Sequence, residues 1–214
     1  MEKLHNKILM HYKSKKQDKM QYIYSSYHVA GEGEHKILQH IKKNKIENTV
    51  IYGLDADLIF LAMASDVKNI YLMREETNIN INVKIHNNIK KDPIKDVEHD
   101  LIYVAISNVK QSLNKYMQDS IRIENMNFCD DFIILCFLLG NDFLPHFPSI
   151  DIYKEGLEYV LEMYKEIYLD LRQNLLIKNQ DIKINNEFIK MLFKKLGNCE
   201  DKYFSDTYVY YKNK

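Results

Sequence analysis

Apolar residues recur at helical spacing in some segments of the chain and form short, compact runs in others. In residues 1–20 they follow the spacing of an amphipathic helix whose apolar face should be buried (Leu4, Ile8, Leu9 and Tyr12). Residues 22–26 are aromatic around a β-branched centre, which predicts a strand. A second helix is predicted for residues 34–43, and residues 49–52 have the composition of a buried strand. Strand, helix, strand is the pattern of a βαβ unit.

The same alternation continues along the chain. A helix is predicted to begin near Asp57, and a strand follows at residues 70–73. Residues 78–86 alternate polar residues with Ile or Val, which fits either an edge strand or a loop. The second half is predicted to be mostly helical, with helices at residues 101–117, 130–139, 151–170 and 185–196. Residues 208–211 are expected to form a strand or an ordered extension, and the fold class is therefore α/β.

Composition and charge exclude several classes of protein. Hydrophobic residues make up 46% of the 214 residues, with only 6 Gly and 3 Pro, so a disordered or linker-dominated chain is excluded. Thirty Lys and Arg balance thirty Asp and Glu, so the chain as a whole is not a polycation. The longest apolar run, residues 132–139, is too short to cross a membrane. Three cysteines without a CxxC pair indicate a reducing compartment, with cytoplasm expected and the nucleus left open.

The most informative residues are five acids at three places where a predicted strand or helix ends. They are Glu32 and Glu34, Asp55 and Asp57, and Asp142. In open α/β sheets the ligand crevice lies beyond the carboxyl ends of the strands, so these side chains should face one cleft. Clustered carboxylates repel one another unless hard divalent cations neutralise them. The residues therefore predict a site for two Mg²⁺ or Mn²⁺ ions and hydrolysis of a nucleic-acid phosphodiester.

Each part of this set also has a structural interpretation. Glu32 and Glu34 fit a solvated helix N-terminus, where the helix dipole favours acids. Asp57 fits an N-cap, but Asp55 then has no structural reason. Asp142 lies in a row of large apolar residues expected to be buried, where an unpaired carboxylate is costly, so function is favoured there.

Other candidate residues stay open between two interpretations. His35, Lys36 and His146 either contact phosphate and carboxylates or lie on an ordinary solvated surface. Lysines outnumber acids in residues 1–48, which gives either a phosphate-facing surface or a soluble face. The tyrosines supply base-stacking platforms or core, and core is favoured for those at helical spacing (Tyr153, Tyr164 and Tyr168). Cys129 and Cys136 are expected to be small buried hydrophobes.

Four blocks of sequence resemble the nuclease domain of the Xrn family of 5′→3′ exoribonucleases. They are GEGEHKI at residues 31–37, YGLDADLI at 52–59, LMREE at 72–76 and the stretch DDF to GNDFLPH at 130–146. Their order and approximate spacing match the family over about residues 20–157. The mild departures are Ala30, where the family usually has Pro, and Phe147, where Leu is usual.

The resemblance implies a fold, an activity and a set of site residues. The fold would be PIN/flap-nuclease-like, with a mostly parallel sheet in residues 1–150 as part of the nuclease domain, and residues 151–214 as its helical extension. The activity would be stepwise hydrolysis of single-stranded RNA bearing a 5′ monophosphate, using two magnesium ions. By the resemblance, the metal-site carboxylates are Glu32, Glu34, Asp55, Asp57 and Asp142.

The family's nuclease domain also includes a segment upstream of the position that matches Met1. By the resemblance, that segment holds two further metal-site aspartates and the basic pocket for the 5′ phosphate. We therefore expect full activity to need a separate N-terminal nuclease segment as a partner. The alternative is a non-catalytic Xrn-like fragment that binds RNA or a protein partner.

Overall fold

The described residues form helices around two small sheets. The computed structural model describes residues 1–14, 19–53, 55–75, 100–124, 126–152 and 155–212. Within these ranges the helices are α1 (Glu2–Ser14), α2 (Gly33–Asn44), α3 (Asp57–Ala64), α4 (Ile106–Ile121), α5 (Cys129–Leu138), α6 (Gly156–Leu171) and α7 (Asn186–Lys212). The strands are β1 (Thr49–Tyr52), β2 (Ile70–Glu75), β3 (Leu101–Ala105), β4 (Leu176–Lys178) and β5 (Ile182–Ile184). The predicted α/β class is confirmed.

The larger sheet has the order β1-β2-β3 and mixed strand directions. β1 and β2 pair in parallel, with Thr49 opposite Ile70, as expected for two strands joined by α3. β2 and β3 pair antiparallel, with Tyr71 opposite Ala105. The described strands therefore form a mixed sheet, with one parallel and one antiparallel pair, and not the mostly parallel sheet that was expected.

One face of this sheet contributes to a hydrophobic core, which we call the sheet cluster. Ile51 of β1 and Leu72 of β2 are buried there against α2, α3, α4 and α5 (Leu38, Ile41, Leu58, Ala62, Met63, Ile106, Cys129 and Ile133). The opposite face, which we call the open face, carries Val50, Tyr52, Tyr71 and Tyr103, all of them exposed. Apolar residues lie on both faces of these strands. Apolar and polar residues therefore do not alternate along the sequence as they do in a sheet with one buried and one solvated face.

A second core, the helical cluster, lies among α4, α5, α6 and α7. Tyr164, Phe188 and Leu192 are fully buried in it, and Tyr168 lies beside Tyr164. The expected core role is confirmed for Tyr164 and Tyr168, while Tyr153 lies outside the described residues. Phe132 of α5 packs against both clusters, so α5 joins the two halves of the described chain.

The two cysteines of α5 are buried in thiol form, as expected. Burial raises the pKa of the Cys129 thiol to about 11. Burial also raises the pKa of Cys136 to about 12. Both residues therefore act as small apolar core residues at neutral pH, since the thiolate is the reactive form.

Residues 22–26 and 101–105 do not form the elements predicted for them. Residues 22–26 belong to no strand, and Ile23 is largely exposed, because no described strand lies beside them to complete a ladder. The helix predicted for residues 101–117 begins only at Ile106, because residues 101–105 pair with β2 as β3. The strand or loop expected at residues 78–86 lies outside the described residues.

The end of the described chain is more regular than its sequence suggested. α7 continues through residues 208–211, so the possible strand there is instead helix. β4 and β5 form a two-stranded antiparallel hairpin that the apolar pattern did not predict. No helix within the described ranges is long and apolar enough to cross a membrane.

Candidate functional site

Asp55 and Asp57 lie at the exit of β1, where the chain turns into α3. The Gly53 N–H donates to the carbonyl of Met73 at 3.1 Å, which keeps the end of β1 beside β2. A Cβ atom at Gly53 would lie 2.6 Å from Leu58 Cδ2, so glycine permits the close packing of α3 onto this turn. The Asp57 N–H donates to Asp55 Oδ1 at 3.2 Å. Asp55 therefore has the structural role that its sequence did not reveal, and its second carboxylate oxygen remains available for a ligand.

Glu32 is the N-cap residue of α2, and Glu34 lies in its first turn. Gly31 precedes them with φ +97°, in a conformation that favours glycine. Glu32 occupies the N-cap position in extended conformation, but its side chain caps no helix N–H. Instead its carboxylate oxygen Oε2 lies 3.3 Å from His35 Nδ1. The start of α2 therefore orients Glu32 and Glu34, and the Glu32 carboxylate makes no capping hydrogen bond to the helix.

Asp142 lies in the turn that follows α5. Gly140 adopts φ +85° there, and a Cβ atom at this position would lie 2.7 Å from the backbone nitrogen of His146. The side-chain oxygen of Asn141 accepts hydrogen bonds from the N–H groups of Phe143 and Leu144, at 3.0 and 2.8 Å. Asn141 and Gly140 together fix the turn that presents Asp142. The sequence analysis did not single out Asn141, although an asparagine in a turn between a glycine and a proline is a pattern that can indicate this role.

The expectation that Asp142 is buried is wrong. Asp142 is exposed, and its apolar neighbours Phe143 and Leu144 are 65% and 49% exposed. Residues 142–146 of the turn are exposed, so the cost of burying a carboxylate does not arise. The case for a functional Asp142 therefore rests on its electrostatic neighbours and not on burial.

The five predicted site residues form one electrostatic group, which we call the acidic cluster. Partial burial raises the pKa of Glu34 above its ordinary 4.5, and the charges of Asp55, Glu32 and Asp57 raise it further. Partial burial also raises the pKa of Asp57 above 3.8, followed by the charges of Asp55, Asp142 and Glu32. The turns after β1 and α5 and the start of α2 thus bring all five carboxylates into one region.

The carboxylates of the acidic cluster are suitable ligands for a hard divalent cation, but they are widely spaced in the structure. Carboxylate oxygens are the ligands that Mg²⁺ and Mn²⁺ prefer, and mutual repulsion favours any cation that binds among them. Within the described ranges, however, no three Asp, Glu, His or Cys side chains lie close enough together to hold a metal ion. The residues therefore fit the metal in kind, and the assignment of all five as ligands stays a prediction.

The neighbouring basic residues are already engaged with the protein. Lys36 Nζ donates to the carbonyl oxygen of Val29, which holds the segment before α2 against that helix. His146 Nδ1 lies 3.1 Å from the carbonyl oxygen of Phe147. His35 contacts Glu32, so of the three it is the one placed beside a carboxylate of the acidic cluster.

Asp131 positions α5, a role that the sequence analysis did not predict. Its carboxylate is 1% exposed and accepts hydrogen bonds from Tyr164 of α6 and from the segment before β4. The other donors are Asn174 Nδ2, the N–H group of Leu175 and the N–H group of Leu176, the first residue of β4, at 2.8 to 2.9 Å. Burial raises the pKa of Asp131, and these four hydrogen bonds act in the opposite direction. The network fixes the helix from which Asp142 projects.

Two family models and several curated proteins are similar to this chain. A family model described as "XRN 5'-3' exonuclease N-terminus" matches residues 1–76, and one described as "Xrn1 helical domain" matches residues 120–213. A protein named 5'-3' exoribonuclease 2 from Candida glabrata is 33% identical over 215 residues, covering 89% of this chain and 20% of that protein. The protein of the same name from Saccharomyces cerevisiae is 30% identical, covering 89% and 21%.

A third relative comes from an animal. The "5'-3' exoribonuclease 2 homolog" of Drosophila melanogaster is 29% identical over 218 residues, covering 85% of this chain and 23% of that protein. The chain thus spans about a fifth of the length of the curated relatives that it matches. Two models of one family match both parts of the chain, and the relatives match most of it, so the chain belongs to the Xrn family.

Proposed function

We propose that this chain is part of a metal-dependent 5′→3′ exoribonuclease acting on single-stranded RNA. The acidic cluster is the main support for the proposal. Its five carboxylates come from three separate places in the chain, and their charges raise the pKa values of Glu34 and Asp57. A structural role does not require that convergence. The names of the relatives, 5'-3' exoribonuclease 2, support the reaction class and the RNA substrate.

Each carboxylate has a proposed role in holding metal. Asp55 on the turn after β1, Asp57 at the start of α3, Glu32 and Glu34 at the start of α2 and Asp142 on the turn after α5 would together hold the ions. Two bound divalent ions, Mg²⁺ or Mn²⁺, would supply positive charge that activates water and stabilises the leaving oxygen of a phosphodiester. His35 would orient Glu32 through its 3.3 Å contact. Asn141 would hold the turn that carries Asp142.

We also propose that the site is completed by residues outside these 214. The open spacing of the acidic cluster supports this, because two-metal hydrolysis needs both ions held firmly. An N-terminal nuclease segment, on the same or a separate polypeptide, would supply further carboxylates and the pocket for a 5′ monophosphate. The chain alone would then bind RNA weakly and turn it over slowly or not at all.

The test is nuclease activity on a single-stranded RNA with a 5′ monophosphate and a 3′ fluorophore. The chain is assayed with Mg²⁺, alone and mixed with the part of the Candida glabrata relative that lies N-terminal to its matched residues. We expect mononucleotide release only in the mixture, and its loss in Asp55→Asn. Asp66→Asn is the matched control, since Asp66 is an exposed aspartate at the other end of α3.

A non-catalytic, RNA-binding fragment is the competing function, and the absence of a three-ligand group in the described ranges favours it. RNA binding by the chain, with no mononucleotide release in any mixture, would establish this alternative. Equal activity in Asp55→Asn and the native chain would refute the role of the acidic cluster.

A further inference from the structure

A pocket of about 330 Å³ lies where the chain enters α6. Its polar lining comes from the segment before α6 and from the first two turns of that helix (Ser149, Asp151, Glu155, Glu158, Tyr159 and Glu162). Four of these six side chains are carboxylates, no lining residue is basic, and none belongs to the acidic cluster. The pocket is therefore a second, separate region of negative charge.

Two of the four carboxylates are available to a positively charged group. Glu155 is the N-cap residue of α6, but its side chain makes no capping hydrogen bond, and Glu158 lies in the first turn. Neither carboxylate has an ion-pair or hydrogen-bond partner among the described residues. Glu162 differs, since Lys165 Nζ lies 2.7 Å from its Oε1 atom. A cation that enters the pocket would therefore meet Glu155 and Glu158 first.

The buried hydroxyl of Ser149 is an independent sign that the pocket takes a ligand. The helix dipole explains acids at the start of α6 without any ligand. It does not explain Ser149, which is 8% exposed and whose hydroxyl oxygen has no hydrogen-bond partner within the described ranges. Buried polar groups are normally hydrogen-bonded, because an unmade bond costs stability. Since Ser149 lines the pocket, a ligand there can supply the missing partner.

Tyr159 adds an aromatic ring to the same lining. Its side chain is 41% exposed, and its hydroxyl contacts the Sγ atom of Cys199 on α7, which ties the tyrosine to that helix. A cation close to the face of a tyrosine ring is attracted by the ring's quadrupole. Carboxylates, a hydroxyl and an aromatic ring together suit a flat organic cation.

The chemistry of the lining selects among cations. A metal ion is disfavoured, because the described ranges contain no group of three Asp, Glu, His or Cys side chains that could hold one. A guanidinium has several N–H donors in a planar fork, stacks on aromatic rings and is more weakly hydrated than an ammonium. Free arginine also carries an α-carboxylate, which the acids of the pocket would repel. An arginine within a polypeptide lacks that charge.

We propose that this pocket binds an arginine side chain of a partner protein. The guanidinium pairs with Glu155 and Glu158, lies against the ring of Tyr159 and donates a hydrogen bond to the hydroxyl oxygen of Ser149. RNA is not the occupant, because its phosphates are repelled by the same carboxylates. The inference does not depend on RNA hydrolysis by this chain, since it uses none of the five residues of the acidic cluster.

NMR titration with short peptides tests the choice of ligand. The probe is acetyl-Gly-Arg-Gly-amide, and the matched peptides carry lysine or citrulline in place of arginine. We expect saturable shifts of the Ser149, Glu155 and Glu158 amide signals, with the arginine peptide binding at least threefold more tightly than the lysine peptide. Citrulline keeps the shape without the charge and should not bind. Equal affinity of the arginine peptide and either matched peptide would overturn the proposal.

Two variants test the residues that form the pocket. Glu158→Gln should weaken binding of the arginine peptide at least threefold. Glu187→Gln is its control and should leave binding unchanged, because Glu187 is an exposed glutamate in the first turn of α7. Equal losses in these two variants would reduce the binding to general charge attraction and refute the site.

Ser149→Ala separates a ligand-binding hydroxyl from a structural one. It should weaken binding at least threefold while leaving the urea midpoint of the free chain unchanged or higher, because it removes an unpaired buried hydroxyl. A lower midpoint would show that the hydroxyl is already bonded within the protein, which would overturn the proposal.

Titrations with small cations, and one further variant, cover the other occupants. Tighter binding of spermidine or Mg²⁺ than of the arginine peptide would assign the pocket to a small cation and overturn the proposal. Lys154 lies outside the described residues. A gain of at least tenfold in affinity for the arginine peptide in Lys154→Ala would show that the chain itself supplies the cation, and would also overturn it.

Discussion

The hydroxyl of Tyr164 on α6 donates a hydrogen bond to the buried carboxylate of Asp131 on α5 at 2.5 Å. Burial, followed by the proximity of this carboxylate, raises the pKa of Tyr164 well above its ordinary value of 10.0. The phenol therefore stays a donor throughout the pH range in which the protein is folded. The bond ties the helix that leads to Asp142 to the centre of the helical cluster.

Tyr164→Phe should lower the free energy of unfolding by about 1.5–3 kcal/mol, the usual loss for a hydrogen bond to a charged group. Asp131→Leu should cost more, about 3–5 kcal/mol, because it leaves the buried N–H groups of Leu175 and Leu176 without an acceptor. Urea denaturation measures both losses. Asp119→Asn, at an exposed aspartate on α4, should stay within about 0.5 kcal/mol of the native chain. A Tyr164→Phe protein as stable as that control would contradict the role of the bond.

Gly140→Ala should destabilise the turn after α5. Alanine would be strained at φ +85°, and its Cβ would meet the backbone of His146, so we expect a loss of about 1–3 kcal/mol. Gly197→Ala is the matched control, because no atom lies within 4 Å of its Cβ position in the middle of α7. It should raise the free energy of unfolding by about 0.5–1 kcal/mol. Thermal or urea melts that show the same sign for both variants would contradict the described turn.

Asp142→Asn should lower the pKa of Asp57, because the charge of Asp142 helps to raise it. A carboxyl whose pKa is raised in the folded state contributes stability below its unfolded pKa of about 3.8 and loses that contribution as pH rises through the folded value. The native chain should therefore lose slightly more stability than Asp142→Asn between pH 3.5 and 7. The difference should stay below about 0.5 kcal/mol, since both groups are well solvated. Carbon-detected NMR titration of Asp57 is the direct measurement, and an unchanged pKa would refute the contact.

Divalent cations should stabilise the chain through the acidic cluster. At a metal concentration equal to Kd the gain is about 0.4 kcal/mol, or about 1–2 °C in Tm for a chain of this length. Thermal melts with millimolar Mg²⁺ or Mn²⁺ should show this shift, and the shift should be larger with Mn²⁺ if the site tolerates loose geometry. The double variant Asp55→Asn/Asp57→Asn should show none. An equal shift in that variant would place the bound ion elsewhere.

The elements that local pattern determines were predictable. α2, β1, α3 and β2 lie within a residue or two of their predicted positions, because apolar spacing and the turn at Gly53 act within one short segment. Residues 101–105 were mistaken for helix because Leu-Ile-Tyr-Val-Ala suits either state, and only pairing with β2 decides between them. Residues 22–26 carry a strand signal, but no described neighbour is present to pair with it.

The residues of the candidate site were easier to predict from the sequence than their burial and their neighbours in the structure. Asp55 and Asp57 were expected near Glu34, and the charges of both raise the pKa of Glu34. The rule behind this expectation, that carboxyl ends of strands meet at one edge, applies to Asp55 after β1 but not to Glu34, because residues 22–26 form no strand. The rule could not reveal that the turn at Asp142 projects into solvent, because Phe143 and Leu144 have the composition of a core. Nor could it reveal that Asp131, and not its neighbour Asp130, is the buried carboxylate that organises α5.

Phe132 packs against both the sheet cluster and the helical cluster, so the two cores share a single side chain on α5. A shared side chain makes the unfolding of one core raise the energy of the other, and the pair should melt as one cooperative unit. Chemical denaturation followed by tyrosine fluorescence and by circular dichroism should then give one coincident transition. Occupancy of the acidic cluster by a cation would in that way lower the population of molecules in which α7 is open, although α7 carries none of the five carboxylates.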